Sequence, residues 1–578
     1  MLINDEESIN NASLQSLVEF VHFLPAECER LDFSGNILLG RKEKEIVQIF
    51  TAIPVHVTHV DLSESSLFSL NMTAISHVLS SLPDHIISLD LGGNQFGMRP
   101  SFEQKLMVMN LPKFLEKLTL SSNDFSSDFA AILSDLPSQV QCIDLSDNAL
   151  GYMKSLDLFN TFRALPPSVS SLNLGCNVFG QGTMLKLKAL LSSLPLSVIE
   201  VDLNNNHLSN GSGRDLLSVF SLLHEKTMNL NLDFNGLGNM QTDSIKQLFK
   251  ALPKSLQCLN LSCNQLNNLP KGSLSAALRC LDDNLSSIVL WGNALGELPA
   301  KECIRVMKSL PKGIKILDLG CNDWDKKVGS ELLRIMLSVP RKLKHLSLKQ
   351  NSLGEVMADH AIKFISGLPL HLKELDISSN ELGCLSSKDI SSVFSVLPKR
   401  LQHLDLSDNH FEHIPCLFMA EALRHLPQKL NSLDFSHNKI NNTLGKDWVH
   451  IFANLPRHLS HLVMAWSGLG KLTSSVLQQS FQGLPDNLQS LDISWNDLNK
   501  LPVNDWVETF LHLPRHLSLT MQGGFKGRSV EEGIEMLASV AGKMRRLDFK
   551  FSGYCQHDIQ AIAKNIYLSS DDNGSIRL

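Results

Sequence analysis

Apolar residues along this chain alternate over a few positions, switch to a helical period, and then begin again. The segment LDLSDN, ending at Asn148 and again at Asn409, sets a frame whose last position recurs at Asn36, Ser65, Asn94, Asn123, Asn148, Asn177, Asn206, Asn235, Asn264, Asn293, Asn322, Asn351, Asn380, Asn409, Asn438, Ser467, Asn496, Gly524 and Ser552. These nineteen repeats are spaced by 29 residues, except for one of 25 (Asn123 to Asn148) and two of 28 at the end, and fifteen of the nineteen frame positions are Asn. The positions five and three before the frame residue are apolar in every repeat, from Leu31 and Phe33 to Leu547 and Phe549. That alternation predicts a short strand with one buried face. A further apolar residue follows two positions after the Asn, as in Leu150, Phe179, Leu266 and Phe411, with Lys526 the exception.

Eleven residues before the frame position fifteen repeats carry Pro, as at Pro25, Pro83, Pro253, Pro427 and Pro485. Proline lacks an N–H and restricts the residue before it, so it ends the preceding helix. The intervening stretch, for example 387–397 (SKDISSVFSVL), has a Ser N-cap candidate and places Ile390, Val393, Phe394 and Leu397 at helical spacing. Each repeat therefore reads strand, turn, helix, Pro stop. One repeat cannot bury both of its apolar faces, so neighbours must stack with their strands parallel. The short Asn amide is expected to turn inward and satisfy backbone groups of adjoining turns as a ladder, with Asn94, Asn148, Asn264, Asn380, Asn409, Asn438 and Asn496 as representatives.

The wording LPxxLxxLDLSxNxL, present at 397–411 as LPKRLQHLDLSDNHF, resembles the leucine-rich repeat, and the 28 to 29 residue period resembles its ribonuclease-inhibitor-like, helix-backed subclass. The resemblance covers residues 25 to 555. It implies an α/β fold: a right-handed solenoid or horseshoe of about nineteen units, with a parallel sheet on the concave side and helices on the convex side. The expected domains are an N-terminal helical cap (1–24), the solenoid (25–555), a C-terminal helical cap (556–568) and a flexible tail (569–578). Tandem repeats of this wording with short polar ends also resemble the leucine-rich-repeat effectors that intracellular bacterial pathogens send into host cells by type IV secretion. In that class the delivery signal lies in a flexible C-terminus with an apolar residue near the end, and here SSDDNGSIRL carries Ile576 and Leu578. The resemblance implies delivery into the host cytoplasm; a scaffold that stays in the bacterial cytoplasm is the alternative.

Composition narrows the function. Over 578 residues, 43% are hydrophobic and 19% charged, which excludes a mainly disordered chain. Lys plus Arg number 52 and Asp plus Glu 59, a net charge of −7 that offers no chain-wide field for nucleic acid or anionic membrane. Eleven cysteines without a CxxC pair point to a reducing compartment. The acidic start MLINDEESIN does not read as a secretory signal. The 25-residue repeat predicts a shortened helix between Asp128 and Leu136, as a tolerated deletion or as a notch for binding.

Side chains between the two buried strand positions, and those just before the Asn, face solvent and stack in columns from repeat to repeat. Eleven of nineteen in the first column are Asp, including Asp405, Asp434 and Asp492, and like charges on adjacent strands repel. That column suits a cationic partner, or else its carboxylates bond to neighbouring Ser and backbone. The second column is mostly small or polar but carries Asp408, His437, Trp466 and Trp495 in succession. With His403 and His461 at the strand starts, these residues form a candidate protein-binding patch, because Trp is enriched in binding hot spots. Its alternative is that the two indoles stack on each other and patch the irregular repeat at Ser467. Trp291, beside His345, Lys349 and Gln350, is a second candidate zone; Trp324, Trp448 and Trp506 fall on core positions.

No GxxxxGKS, HExxH or strand-linked GxGxxG motif occurs, and the 21 histidines are scattered. Cys176, Cys263 and Cys321, or Cys258 with Cys263, lack ligand spacing. Ubiquitin-ligase leucine-rich-repeat effectors resemble this chain in their repeats but have a separate catalytic Cys domain, whereas here Cys555 lies in the last repeat. The reading is a non-catalytic protein-interaction module, a monomer without metal or cofactor, whose concave face binds a host protein. A scaffold or a ligase with an unrecognised site is the alternative.

Overall fold

The computed structural model describes residues 13–24, 28–38, 40–125, 130–181, 184–439, 447–511, 513–514, 516–524, 527–540, 546–550, 569–570 and 576–577. They fall into two compact halves, Met1–Val289 and Leu290–Leu578. Strands run from Arg30–Asp32 to Ser287–Val289 in the first half and from Ile316–Asp318 to Arg546–Lys550 in the second, one to each repeat. Within each half they pair in parallel and in register, as in Leu172↔Val201 and Leu404↔Leu433. This is the α/β solenoid construction expected from the repeat.

One repeat shows why the wording folds this way. The Pro398 carbonyl accepts from Leu401 N–H at 3.2 Å, closing the turn that leads into the strand His403–Asp405. Leu404 and Leu406 point inward and are buried. The turn that follows takes Asp408 and His410 through left-handed backbone (φ +53° and +58°), with Asn409 between them. A 3-10 turn, Phe411–His413, then drops Phe411 into the core, and the helix Cys416–Leu423 returns on the other side of the sheet. In the preceding repeat the helix is Ser387–Ser395, with Ile390, Val393 and Phe394 buried. Its cap is Ser386, one residue ahead of the 387–397 stretch, and the Ser386 hydroxyl accepts from Asp389 N–H at 3.3 Å.

The 25-residue repeat keeps its strand register, Leu118↔Ile143, and its deletion falls on a four-residue helix, Ala130–Leu133. Trp324, Trp448 and Trp506 are all buried. The helix Leu14–His22 buries Leu17 and Val21 against the first repeat's helix Glu43–Thr51. The last two repeats have longer strands. Ser518–Gln522 and Arg546–Lys550 pair over five residues, where three is the rule. Lys526, Phe551, Cys555, the cap at 556–568 and most of the tail lie outside the described residues. Among the described residues no helix is long and apolar enough to cross a membrane.

Candidate functional site

The asparagines form an amide ladder that is unbroken from Asn94 to Asn264 in the first half and from Asn293 to Asn438 in the second. Asn409 Nδ2 donates to the carbonyls of Ile377, Leu406 and Ser407 at 3.0, 2.9 and 3.2 Å, while its Oδ1 accepts from the N–H groups of Asn380 and Leu382. Asn94, Asn264, Asn380, Asn438 and Asn496 reach back in the same way to a carbonyl 32 residues earlier, and Asn148, in the short repeat, to one 28 residues earlier, at 2.7 to 2.9 Å. The ladder is interrupted at Ser467. Its N–H still donates to Asn496 Oδ1 at 2.9 Å, but its hydroxyl is too short to reach the preceding repeat and turns to the Ala465 carbonyl instead.

The aromatic column spans this interruption. The rings of His437 and Trp466 stack at 5.8 Å and 18°, and those of Trp466 and Trp495 at 5.7 Å and 16°. The outer face of Trp495 lies on Gly523, where a Cβ would come within 2.8 Å of the indole. At the other end Ser379 Oγ donates to Asp408 Oδ2 at 3.0 Å. Trp466 nevertheless remains 43% exposed. His437, Trp466 and Trp495 all hold left-handed backbone, with φ of +56°, +55° and +56°, a conformation that suits the Gly93 or Gly292 of the equivalent turns. For a bulky L-residue it costs about 1–2 kcal/mol. Three successive bulky rings at this turn are thus unfavourable both in backbone and in exposed apolar surface.

The rest of the predicted patch is spread along the strands. Asp405 and Asp434 are register partners, whereas Asp434 and Asp492 are separated by Val463. Their carboxylates are engaged in the turns: Oδ1 of each accepts from the N–H two residues on, in Ser407, Ser436 and Ser494, at 2.8 to 2.9 Å. Burial first, and the Asp434 and Asp376 charges behind it, push the Asp405 carboxyl above its ordinary range. The effect is larger in the first half, where Asp90 is pushed up to about 6, chiefly by burial, with Asp61 and Asp144 adding repulsion. His403 and His461 sit at the strand starts, His461 five residues and roughly 15 Å of extended chain from Trp466 and His403 two strands further along, with Ser432 between the two histidines in the sheet. Trp291 is half-buried against Gly320, where a Cβ would lie 2.6 Å from Cδ1, and His345 pairs with Glu374 at 2.5 Å.

Phe234 was missed by the sequence reading. It occupies the same turn position as Trp466, in the first half, with φ +54° and 58% exposure. The frame alone was enough to find it. A groove of about 350 Å³ on the strands of the same half is lined by Asn173, Glu200, Asp202, Asn229 and Asn231 among others. Asn173, Asn229 and Asn231 donate to Asp144, Glu200 and Asp202 at 2.6 to 2.9 Å. Where the titration of a thiol is displaced it moves upward: burial pushes Cys303 to about 11 and Cys416 to about 12, the opposite of an activated nucleophile. Among the described residues no group of three or more His, Cys, Asp or Glu is arranged to hold a metal ion.

Leucine-rich repeat family profiles match residues 400–420 and, in a second form, 369–383 and 427–443, which include His403, Asp405, Asp408, Asp434 and His437 and end before Trp466. The three matched stretches are leucine-rich repeats. Such repeats generally mediate protein–protein interaction and are typically non-catalytic. A comparison with curated protein sequences returned no match. Among solved structures, the leucine-rich repeat-containing protein LegL7 from Legionella pneumophila is similar at 21% identity and a TM-score of 0.39, over 70% of this chain and 98% of that one. Rad7, in the yeast Rad7 and Elc1 complex structure, or its companion chain there, is similar at 14% identity and a TM-score of 0.37, over 68% and 83% of the two chains.

Proposed function

We propose that this leucine-rich repeat protein is a non-catalytic binding module that captures a protein partner on the turn side of its second half. The supporting observation is the His437–Trp466–Trp495 stack. It places three successive rings at a left-handed turn position where most other repeats carry a small or polar residue, and leaves an indole edge in solvent. A covering partner recovers that exposed apolar area, and a rigid, pre-stacked indole loses little entropy on binding. Asp408 at the end of the column, with Asp405, Asp434 and Asp492 on the strands, suits a partner surface bearing Lys or Arg. We assign the partner to a host cell and the protein to the exported effectors, on the resemblance of its LPxxLxxLDLSxN repeats.

The test is a pull-down comparing the intact chain with a Trp466→Ser, Trp495→Ser variant. Ser122 and Ser379 occupy the same position elsewhere with φ near +52°, so the variant is expected to fold, which its circular dichroism and melting curve establish. A partner held by the intact chain and lost by the variant supports the site; equal retention by both refutes it. Export is a separate question, tested by a translocation assay with and without residues 560–578. Equal delivery by the two chains, or none by either, removes the effector assignment.

A further inference from the structure

The opposite edge of the sheet in the second half, where the strands begin, is strongly cationic. Seven residues before the ladder position stand Lys315, Lys344 and Lys373, and nine before it Lys342, His371, Arg400 and Lys429. The fold locks the first group into one row: Lys344 and His345 N–H donate to the Lys315 carbonyl, and Lys373 and Glu374 N–H to the Lys344 carbonyl, at 2.8 to 3.0 Å. The side chains are therefore one strand step apart, about 4.8 Å. Together with Arg341 they line a cleft of about 570 Å³ that contains seven Lys and Arg and no carboxylate. A second cleft of about 450 Å³ shares Gln402 and Lys429 with it and adds His403 and His458.

Among the described residues none of Lys315, Arg341, Lys342, Lys344, Lys373 or Lys429 takes part in an ion pair. Arg400 Nη1 donates to His371 Nδ1 at 3.0 Å rather than to an acid. Like charges side by side across a sheet destabilise it. The repeat does not require them either. In the first half the seven-before position holds no Lys or Arg in ten repeats, with Glu29, Ile87, Glu116, Gln141, Ile199 and Met228 among its occupants, and the nine-before position holds one, Lys226.

We propose that this cleft binds a compact polyanion carrying several phosphate groups on one small scaffold, either free or as a lipid headgroup. Seven fixed cations exceed what a single phosphate neutralises. At about 1.5 to 2 negative charges each, roughly four clustered phosphates match them. Arg341 and Arg400 supply planar forks for bidentate phosphate contacts and the lysines supply point charges. The cleft has the size of a small-molecule site. It lies at the strand starts, apart from the indole column at the turns, so both can be occupied together.

The experiment is calorimetric titration of the full chain with inositol hexakisphosphate at about 50 and about 200 mM salt. The intact protein is compared with Lys344→Gln, Lys373→Gln, Arg400→Gln and with a charge-matched control, Lys188→Gln, Lys250→Gln, Lys271→Gln, drawn from exposed lysines of the first half. Binding is expected in the intact chain and the control, weaker at the higher salt, with an affinity at least about tenfold lower in the cleft variant. The ligand should also raise the melting temperature of the intact chain. Phosphatidylcholine vesicles with and without phosphatidylinositol bisphosphate distinguish the sources. Capture of the bisphosphate vesicles that free inositol hexakisphosphate competes away assigns the headgroup, and binding of the free compound alone assigns a soluble ligand. Failure of both probes, equal loss in the control, or tighter binding of single-stranded DNA or poly-glutamate at equal charge overturns the proposal.

Discussion

The two halves use one repeat grammar and differ at the edges of the sheet. In the first half the position seven before the ladder residue holds no Lys or Arg, and the strand faces are closed by amide–carboxylate bonds such as Asn173 to Asp144 and Asn231 to Asp202. In the second half the strand starts carry unpaired cations, and the turns carry a stack of rings. The buried positions scarcely differ, since Leu172 and Leu404 perform the same task in the same geometry. The contrast shows where this architecture leaves chemistry free to vary. Core and ladder positions are dictated by stacking, whereas the residues flanking each three-residue strand answer only to solvent or to a ligand.

Breaking what the halves share should have the largest effect. Asn206→Ala in the first half and Asn409→Ala in the second each leave several buried backbone groups without partners. A loss of about 3–5 kcal/mol is expected at either site, read as hydrogen exchange in the adjoining repeats. Unequal losses would mean that the halves do not rely on the ladder alike.

A smaller effect sharpens the difference. Asp90 is the most displaced carboxyl among the described residues, and Asn173, Asn231 and Asn260 already make its turn bond, to Gly175, Asp233 and Ser262 N–H. The folded-state value of about 6 lies above the ordinary 3.8, so the folded chain holds the proton more tightly than the unfolded chain. Stability from this group is therefore present below about pH 4 and is lost as pH rises to about 6. Asp90→Asn should add roughly 1–2 kcal/mol at pH 7 and almost nothing at pH 3. Urea unfolding at the two pH values checks this, and an equal gain at both would remove the charge explanation.

The smallest effect separates the roles of the indole stack. Ser467→Asn restores an amide that can reach the preceding repeat, and is expected to add about 1 kcal/mol without altering partner capture. If Trp466→Ser, Trp495→Ser then costs less stability in the Ser467→Asn background than alone, the stack also splints the interrupted ladder. Additive effects, measured by hydrogen exchange across 432–496, would leave binding as its only role.

Much of the candidate site was legible in the residues, because a frame of 29 makes columns visible. Trp466 and Trp495 stand out in theirs, and so does Phe234, which was passed over because it has no aromatic neighbour one repeat away. Other aspects could not be read. For Asp405 and Asp434 the sequence leaves two readings open, a cationic partner or bonds to neighbouring Ser and backbone, and in the structure each gives an oxygen to its own turn. His403 was grouped with the indoles, yet it borders the cationic rim. The lysines and arginines of that rim were averaged away in a net charge of −7.

By itself the sequence determined the repeat, its strand, turn and helix, the buried leucines and the inward Asn. Each of these depends on local period and on neighbours at a constant separation, and the hydrophobic effect responds to both without regard to distant detail. Only the tertiary structure decided which exposed side chains meet. That depended on left-handed turns that aim the rings into one stack, on carboxylates drawn into their own backbone, and on strand starts held side by side so that separate lysines share one cleft. These are through-space relations of side-chain direction and hydrogen bonding, and no periodicity of apolar residues encodes them.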